Sequence, residues 1–210
     1  MTKILPSETD QEGLWRGAFG DEYTQRNVSA AQLRSNTALF AQILRSAPDV
    51  RSIVELGCNR GLNLQALHSL APDIRLSAYE INTSAAQTAR ELSIAEIRCE
   101  SILHLDLDAI EPSDVSFTKG VLIHIHPDEL DRAYEALYRL SKRYVLVCEY
   151  YNPVPTMIPY RGTTDTLFKR DFAGDLIDRF DLRLVDYGFV YHRDRYFPLD
   201  DCTWFLLEKR

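Results

Sequence analysis

The chemistry in this chain is densest where a carboxylate meets a turn punctuated by glycines, Glu55-Leu56-Gly57-Cys58-Asn59-Arg60-Gly61-Leu62-Asn63. An apolar, β-branched run ends at Glu55, and a helix-forming stretch starts after Gly61. Glycine has no Cβ, so the backbone at 57 and 61 can turn sharply and lie against a ligand. Glu80 closes the next apolar stretch, 23 residues beyond Gly57. A dinucleotide-type fold places the carboxylate that holds a ribose diol at about that distance. Asn59 stands where a second glycine would complete the dinucleotide fingerprint. A diphosphate needs backbone donors at a clear helix N-terminus. An acidic residue at the strand end instead suits a ligand with positive charge and no phosphate. S-adenosylmethionine, with its sulfonium and ammonium groups, is such a ligand. The expected cofactor contacts are Glu55, Gly57, Cys58, Asn59, Gly61 and Asn63, with Glu80 on the ribose and Ile81 and the following Ser101 and Ile102 beside the base.

A second dense segment is Thr118-Lys119-Gly120-Val121-Leu122-Ile123-His124-Ile125-His126-Pro127. Gly120 would let the backbone pass close to the cofactor, beside Lys119. His124 and His126 are two apart and would share a face of an extended strand. No third ligand accompanies them, and the four cysteines show no C-x-x-C spacing, so no metal is expected. His124 is the first candidate for a general base, with Glu149 and Tyr150 after it. Those two belong to Glu149-Tyr150-Tyr151-Asn152-Pro153, where a carboxylate and two phenols end another apolar run. Substrate contacts are expected from His126 and Tyr151, from Tyr160 and Arg161, and from Lys169 and Arg170. The three cations could clamp a carboxylate or phosphate on the acceptor. Phe19 and Tyr23 lie in an aromatic, glycine-containing N-terminal segment that could fold over the site as a lid.

These residues need a scaffold. Apolar spacing predicts helices over 9–47, 62–70, 83–92, 128–140 and 171–179, and strands at 53–56, 74–79, 96–99, 114–118, 144–149, 182–190 and 203–207. The three prolines of 152–162 mean that this stretch cannot be regular structure throughout. Strands alternating with helices predict an α/β fold: a Rossmann-like, seven-stranded, mainly parallel sheet with an antiparallel terminal strand and helices on both faces. Ligands of such sheets bind beyond the carboxyl ends of the strands, where both dense segments fall. The expected organisation is an N-terminal helical lid or extension over 1–48 and a cofactor-binding domain over 49–210, forming one structural unit.

With 210 residues, 45% hydrophobic, the chain suits one domain of ordinary size. A net charge of -7 disfavours nucleic acid as a partner. No stretch reaches the roughly 18–20 apolar residues of a membrane span. The first residues lack a signal-peptide core, and scattered free thiols suit a reducing compartment, so a cytoplasmic monomer or homodimer is expected.

At these residues the chain resembles class I S-adenosylmethionine-dependent methyltransferases. More narrowly, it resembles the methylases associated with pseudaminic acid biosynthesis. The narrower resemblance rests on Tyr79-Glu80-Ile81-Asn82, Glu149-Tyr150-Tyr151-Asn152-Pro153, Tyr160-Arg161-Gly162, Leu167-Phe168-Lys169-Arg170-Asp171-Phe172, Asp186-Tyr187-Gly188-Phe189 and Asp201-Cys202-Thr203-Trp204-Phe205. Arg60 departs from the apolar residue expected there, and Cys202 from an isoleucine. The resemblance implies methyl transfer to a small molecule, a sugar or nonulosonic-acid-type intermediate. Other small carboxylate or hydroxyl acceptors stay open, as do a non-catalytic cofactor-binding module and a nicotinamide-dependent oxidoreductase, which the Asn59 position weakens.

Overall fold

A computed structural model describes residues 8–26, 30–160 and 163–210. Three helices come first: α1 (Asp10–Arg16), α2 (Ala18–Arg26) and α3 (Ala30–Leu44). The expected single helical stretch is therefore interrupted. Thr9 and Glu12 form a reciprocal capping box at the start of α1, and Gly17 ends that helix in extended backbone.

Strand–helix repeats then build the sheet: β1 (Ser52–Leu56), α4 (Leu62–Leu70), β2 (Arg75–Tyr79), α5 (Thr83–Glu91), β3 (Glu96–Arg98), β4 (Ser113–Lys119), α6 (Leu130–Arg139) and β5 (Ser141–Glu149). Two further strands, β6 (Thr156–Tyr160) and β7 (Thr163–Lys169), precede α7 (Phe172–Phe180), β8 (Leu182–Val190) and β9 (Cys202–Lys209). The seven-stranded sheet runs β3-β2-β1-β4-β5-β9-β8. Its first five strands are parallel, whereas β9 is antiparallel to both β5 and β8. The expected fold class holds.

Both faces of the sheet are covered. Phe40 of α3, Leu64 of α4 and Ala86 of α5 pack with Leu146 and Trp204 on one side. Leu137 of α6 and Leu176 of α7 pack with Val145, Val147 and Leu207 on the other. Alternate residues of β5 and β9 thus feed opposite cores, as a strand period of two requires. Burying each such leucine contributes about 1.5–3 kcal/mol. Trp204 is fully buried, and Gly188 lies opposite it in register, where a Cβ would come 2.7 Å from the indole.

The stretch expected not to be regular throughout is irregular up to Pro155 and then enters β6, which pairs with β7 in a two-stranded antiparallel ribbon that was not expected. Pro159 sits where the ladder slips between Ile158 and Tyr160, a place where its missing N–H costs no ladder bond. His124 and His126 also differ from expectation, because they do not lie on an extended strand. Leu122–His124 forms a 3-10 turn, and His126 caps a second one, Pro127–Glu129. Among the described residues, no helix is long and apolar enough to cross a membrane.

Candidate functional site

A cleft of about 190 Å³ opens at the carboxyl ends of β1, β2 and β4, roofed by α1 and α2 and walled in part by α3. Its floor is the turn between β1 and α4. Gly57, Asn59 and Gly61 all have positive φ, at 84°, 48° and 82°. Asparagine tolerates the left-handed region, so Asn59 keeps the turn where a glycine was the simpler choice. At Gly57 space also matters, since a Cβ would sit 2.6 Å from Val121 Cγ2. Gly61 faces away from the cleft toward Ala89 of α5 and Leu92 just after it, so it shapes the turn without lining the site.

Glu80 ties the floor to the end of β2. Its carboxylate accepts the N–H of Asn59 at 2.6 Å and of Asn82 at 2.8 Å. Burial pushes its pKa up, and those donors counter the push. Beneath the turn, Glu55 is fully buried and accepts from Asn63 Nδ2 at 2.6 Å. Burial pushes its pKa up to about 8, against the opposing effects of Asn63 and the Lys119 charge, while the Glu80 charge adds to the rise. Three buried acceptors in this region, Glu55 Oε2, Asn63 Oδ1 and Asn36 Oδ1 of α3, have no donor in the protein. Asn36 and Asn63 both line the cleft.

The N-terminal helices are latched to the sheet. Asn82 Nδ2 donates to Asp21 Oδ1 at 2.9 Å and to the Trp15 carbonyl at 3.2 Å, while its Oδ1 caps α5 by accepting from Ala85 N–H. Glu12 accepts from the Ser101 hydroxyl and lies 3.1 Å from His104 Nε2. The Trp15 ring lies 4.6 Å from the His124 ring and 5.1 Å from that of Tyr23.

Of the expected cofactor residues, Gly57, Cys58, Asn59, Asn63, Glu80, Ile81, Ser101, Ile102, Lys119 and Gly120 line the cleft, and Glu55 stands just behind Asn63. Tyr23, His124 and His126 line it as well. His124 is buried, whereas His126 is half-buried and packs edge-on to Phe168 at 5.7 Å.

Other expected residues are placed elsewhere. Glu149 turns inward: its Oε1 accepts the N–H groups of Val121 and Leu122 at 3.0 and 3.2 Å, so it braces the turn that carries His124. Burial raises its pKa to about 7 in spite of those donors. Tyr150 is outside the cleft lining, and burial and Asp200 push its phenol pKa up. Lys169 lies 5.1 Å over the Tyr150 ring, and Arg170 is paired with Asp175 at 2.7 Å. Phe19 packs on Trp15, and Tyr151 is exposed beside Phe205. Arg161 and the side chain of Tyr160 fall outside the described residues.

Glu12, Asn36 and Asn82 were not expected as site residues. The Thr9-Asp10-Gln11-Glu12 spacing is a pattern that can mark a helix start, but it says nothing of a wall of the cleft. Asn36 carries no local signal, because only the packing of α3 brings it to the floor.

No protein-family model and no curated protein sequence matches the chain. Solved structures do. The magnesium protoporphyrin IX methyltransferase of Synechocystis PCC 6803 with bound SAM is 11% identical, with 98% of this chain and 100% of that chain covered, at a TM-score of 0.68. The 1,6-didemethyltoxoflavin-N1-methyltransferase of Burkholderia thailandensis, with 1,6-didemethyltoxoflavin and S-adenosylhomocysteine bound, is 16% identical, covering 97% and 92%, at 0.70. The mitomycin 7-O-methyltransferase is 15% identical, covering 96% of this chain and 61% of that one, at 0.67. The chain has the Rossmann-like fold of SAM-dependent methyltransferases.

Proposed function

We propose that the protein transfers a methyl group from S-adenosylmethionine to a small molecule, a sugar or nonulosonic-acid-type intermediate. The observation that carries this reading is a set of donor-less acceptors, two of them, Asn36 and Asn63, lining the cleft and the third, Glu55, behind Asn63. Glu55 Oε2, Asn63 Oδ1 and Asn36 Oδ1 are buried without partners. Such groups are costly to leave unpaired, and an ammonium group supplies the missing donors. A diphosphate brings only further acceptors, so these residues fit the amino-acid end of S-adenosylmethionine and do not fit NAD.

In this reading Glu80 receives the ribose hydroxyls, Ile81 and Ile102 flank the base beside Ser101, and Cys58, Lys119 and Gly120 border the middle of the ligand. When bound, the cofactor supplies an electrophilic methyl group on a sulfonium that leaves as a neutral thioether. The chain has to align the acceptor, exclude water and accept a proton where the acceptor is a hydroxyl. His124 sits at the right rim for that proton. Glu149 positions it from beneath, and Tyr150 is held by Asp200 instead. Within the N-terminal extension over 1–48, α1 and α2 act as the lid, with Trp15 and Tyr23 closing over His124 and His126 facing the acceptor, while α3 belongs to the core on the sheet face. Phe19, Tyr151, Lys169 and Arg170 belong to the outer wall of this reading, and Tyr160 and Arg161 keep their proposed role as acceptor contacts. Arg170 would first have to leave Asp175.

The small-molecule acceptors named for the structurally similar methyltransferases support the substrate class in its broad form. The test is a melting experiment with S-adenosylhomocysteine and with NAD, because a ligand of the folded state raises Tm. Stabilisation by S-adenosylhomocysteine alone is expected. Stabilisation by NAD alone would overturn the reading. Incubation with labelled S-adenosylmethionine and a panel of sugar acids, read by mass spectrometry, then identifies the acceptor.

A further inference from the structure

Glu12 is a buried carboxylate that the transfer chemistry does not use. It stands on α1, yet it lines the end of the cleft beside Ser101, Ile102 and Leu103 and is only 5% exposed. Its oxygens meet donors: the Ser101 hydroxyl, the Thr9 N–H at 2.9 Å, the Thr9 hydroxyl at 3.2 Å and the His104 ring at 3.1 Å. Burial alone would raise its pKa, but the bonds from Ser101 and Thr9 and the neighbouring His104 bring it below the ordinary carboxylate value. It is therefore ionised at neutral pH and can only accept.

That fixes the polarity of Ser101. A serine hydroxyl has one proton and two lone pairs, and alone it can present either to a ligand. Here the proton is committed to Glu12, and one lone pair takes the Leu103 N–H at 3.2 Å. What remains is a single acceptor position, next to a carboxylate. The end of the cleft is thus complementary to an N–H donor and repels a carbonyl oxygen.

We infer that Glu12, acting through Ser101, makes this end of the cleft selective for a 6-aminopurine nucleoside over its 6-oxo counterpart. The inference rests on the reading of the cleft as a nucleoside thioether site. It adds a positioning residue from the N-terminal segment, 89 residues away in sequence from the hydroxyl it orients. Recognition of the base therefore requires α1 to be seated, so base choice and closure of the roof are one event.

Calorimetry with S-adenosylhomocysteine and S-inosylhomocysteine tests this. The wild-type protein should bind the adenosyl compound about 10–100-fold more tightly, the loss expected when a buried acceptor faces an oxo group. Glu12→Ala frees the Ser101 proton to donate to the oxo group, and the preference should fall to within about threefold. Glu12→Gln keeps an acceptor and should retain most of the preference. A merely structural latch would weaken both ligands equally and leave their ratio unchanged in Glu12→Ala. That result, with both ligands still binding, overturns the inference and spares the cofactor reading. Should Glu12→Ala fail to fold, Ser101→Ala must by itself erase the preference, and an unchanged ratio there is equally fatal. A wild-type protein that binds neither compound overturns both readings.

Discussion

Asn63 Nδ2 donates to Glu55 Oε1 across 2.6 Å, and neither the other oxygen of Glu55 nor the amide oxygen of Asn63 has a donor. Burial pushes the Glu55 pKa up to about 8, so the free protein carries this carboxyl protonated at neutral pH. An ammonium group placed here favours the ionised form. Lys119, Glu80 and the Cys58 thiol are the other titratable groups that act on it. Binding of S-adenosylhomocysteine should therefore release a proton below about pH 8. Affinity should rise with pH between about 6 and 8, by up to tenfold per unit. Calorimetry in buffers of different ionisation enthalpy measures both. Glu55→Gln should flatten the profile, and 5′-methylthioadenosine, which has no ammonium group, should show none. A flat profile for S-adenosylhomocysteine in the wild-type protein would remove Glu55 from this role.

The same burial acts on stability. Glu55 and Glu149 have folded-state pKa values raised from 4.5 to about 8 and about 7. Between 4.5 and those values the folded state holds protons that the unfolded chain has lost. Its stability is therefore greatest on the acid side of the window and declines as pH rises through it. Melting of the ligand-free protein should drop by a few kcal/mol equivalent between about pH 5 and 8. Glu149→Gln should flatten part of that slope. Glu149→Ala leaves the Val121 and Leu122 N–H groups unpaired, at about 2–4 kcal/mol, or roughly 5–15 °C in Tm. A melting curve with no such decline in the wild type would contradict the burial assigned to both carboxyls.

Two glycines of one turn should fail differently. At Gly57 an added Cβ meets Val121 Cγ2 at 2.6 Å, on a β-branched side chain next to the turn that holds His124. At Gly61 it meets the tip of Leu92 at 2.8 Å, which can move away. Both changes strain a positive φ, by about 1–2 kcal/mol. Gly57→Ala should in addition weaken S-adenosylhomocysteine by more than about tenfold, whereas Gly61→Ala should alter Tm and leave affinity within about threefold. Equal losses of affinity would mean that the two glycines serve the turn alike.

What could be read from the sequence was local. Gly57, Asn59 and Glu80 announce themselves because a strand end, a tight turn and a second strand end lie close together in the chain and dictate one another. Period-two and helical spacing likewise place β1 to β5 without any long-range information. The roof is different. Glu12 reaches Ser101 and His104, and Asn36 reaches the floor, only through tertiary packing that leaves no periodic trace. Glu149 read as a rim acid because it ends an apolar strand. Whether such an acid points to solvent or back under the next turn depends on two N–H groups 27 and 28 residues away. Arg170 read as a free cation because Asp175 is not an obvious partner until α7 winds it round. The prolines of 152–162 hid the β6–β7 ribbon, since a proline at a ladder slip and a proline in a loop look identical in sequence.

His124 carries the last prediction. Its ring packs on Trp15 at 4.6 Å, and its turn is held by Glu149, so it is positioned from above and below. With a hydroxyl acceptor, the proton must leave as the new bond to carbon forms, and loss of the base should cost about 10²–10⁴-fold in kcat. With a carboxylate acceptor no proton moves, and only orientation is lost. Removing His124 should then cost less than about tenfold, because the group contributes no charge transfer to that transition state. His124→Gln keeps the size and polarity of the ring, so it is the variant to compare with His124→Ala. Affinity for S-adenosylhomocysteine, measured alongside, separates a lost base from a collapsed cleft. A large fall in kcat with that affinity intact assigns His124 as the base and the acceptor atom as a hydroxyl oxygen. Unchanged turnover in both variants on a hydroxyl acceptor would strike His124 from the mechanism and leave the proton to solvent or to the substrate itself.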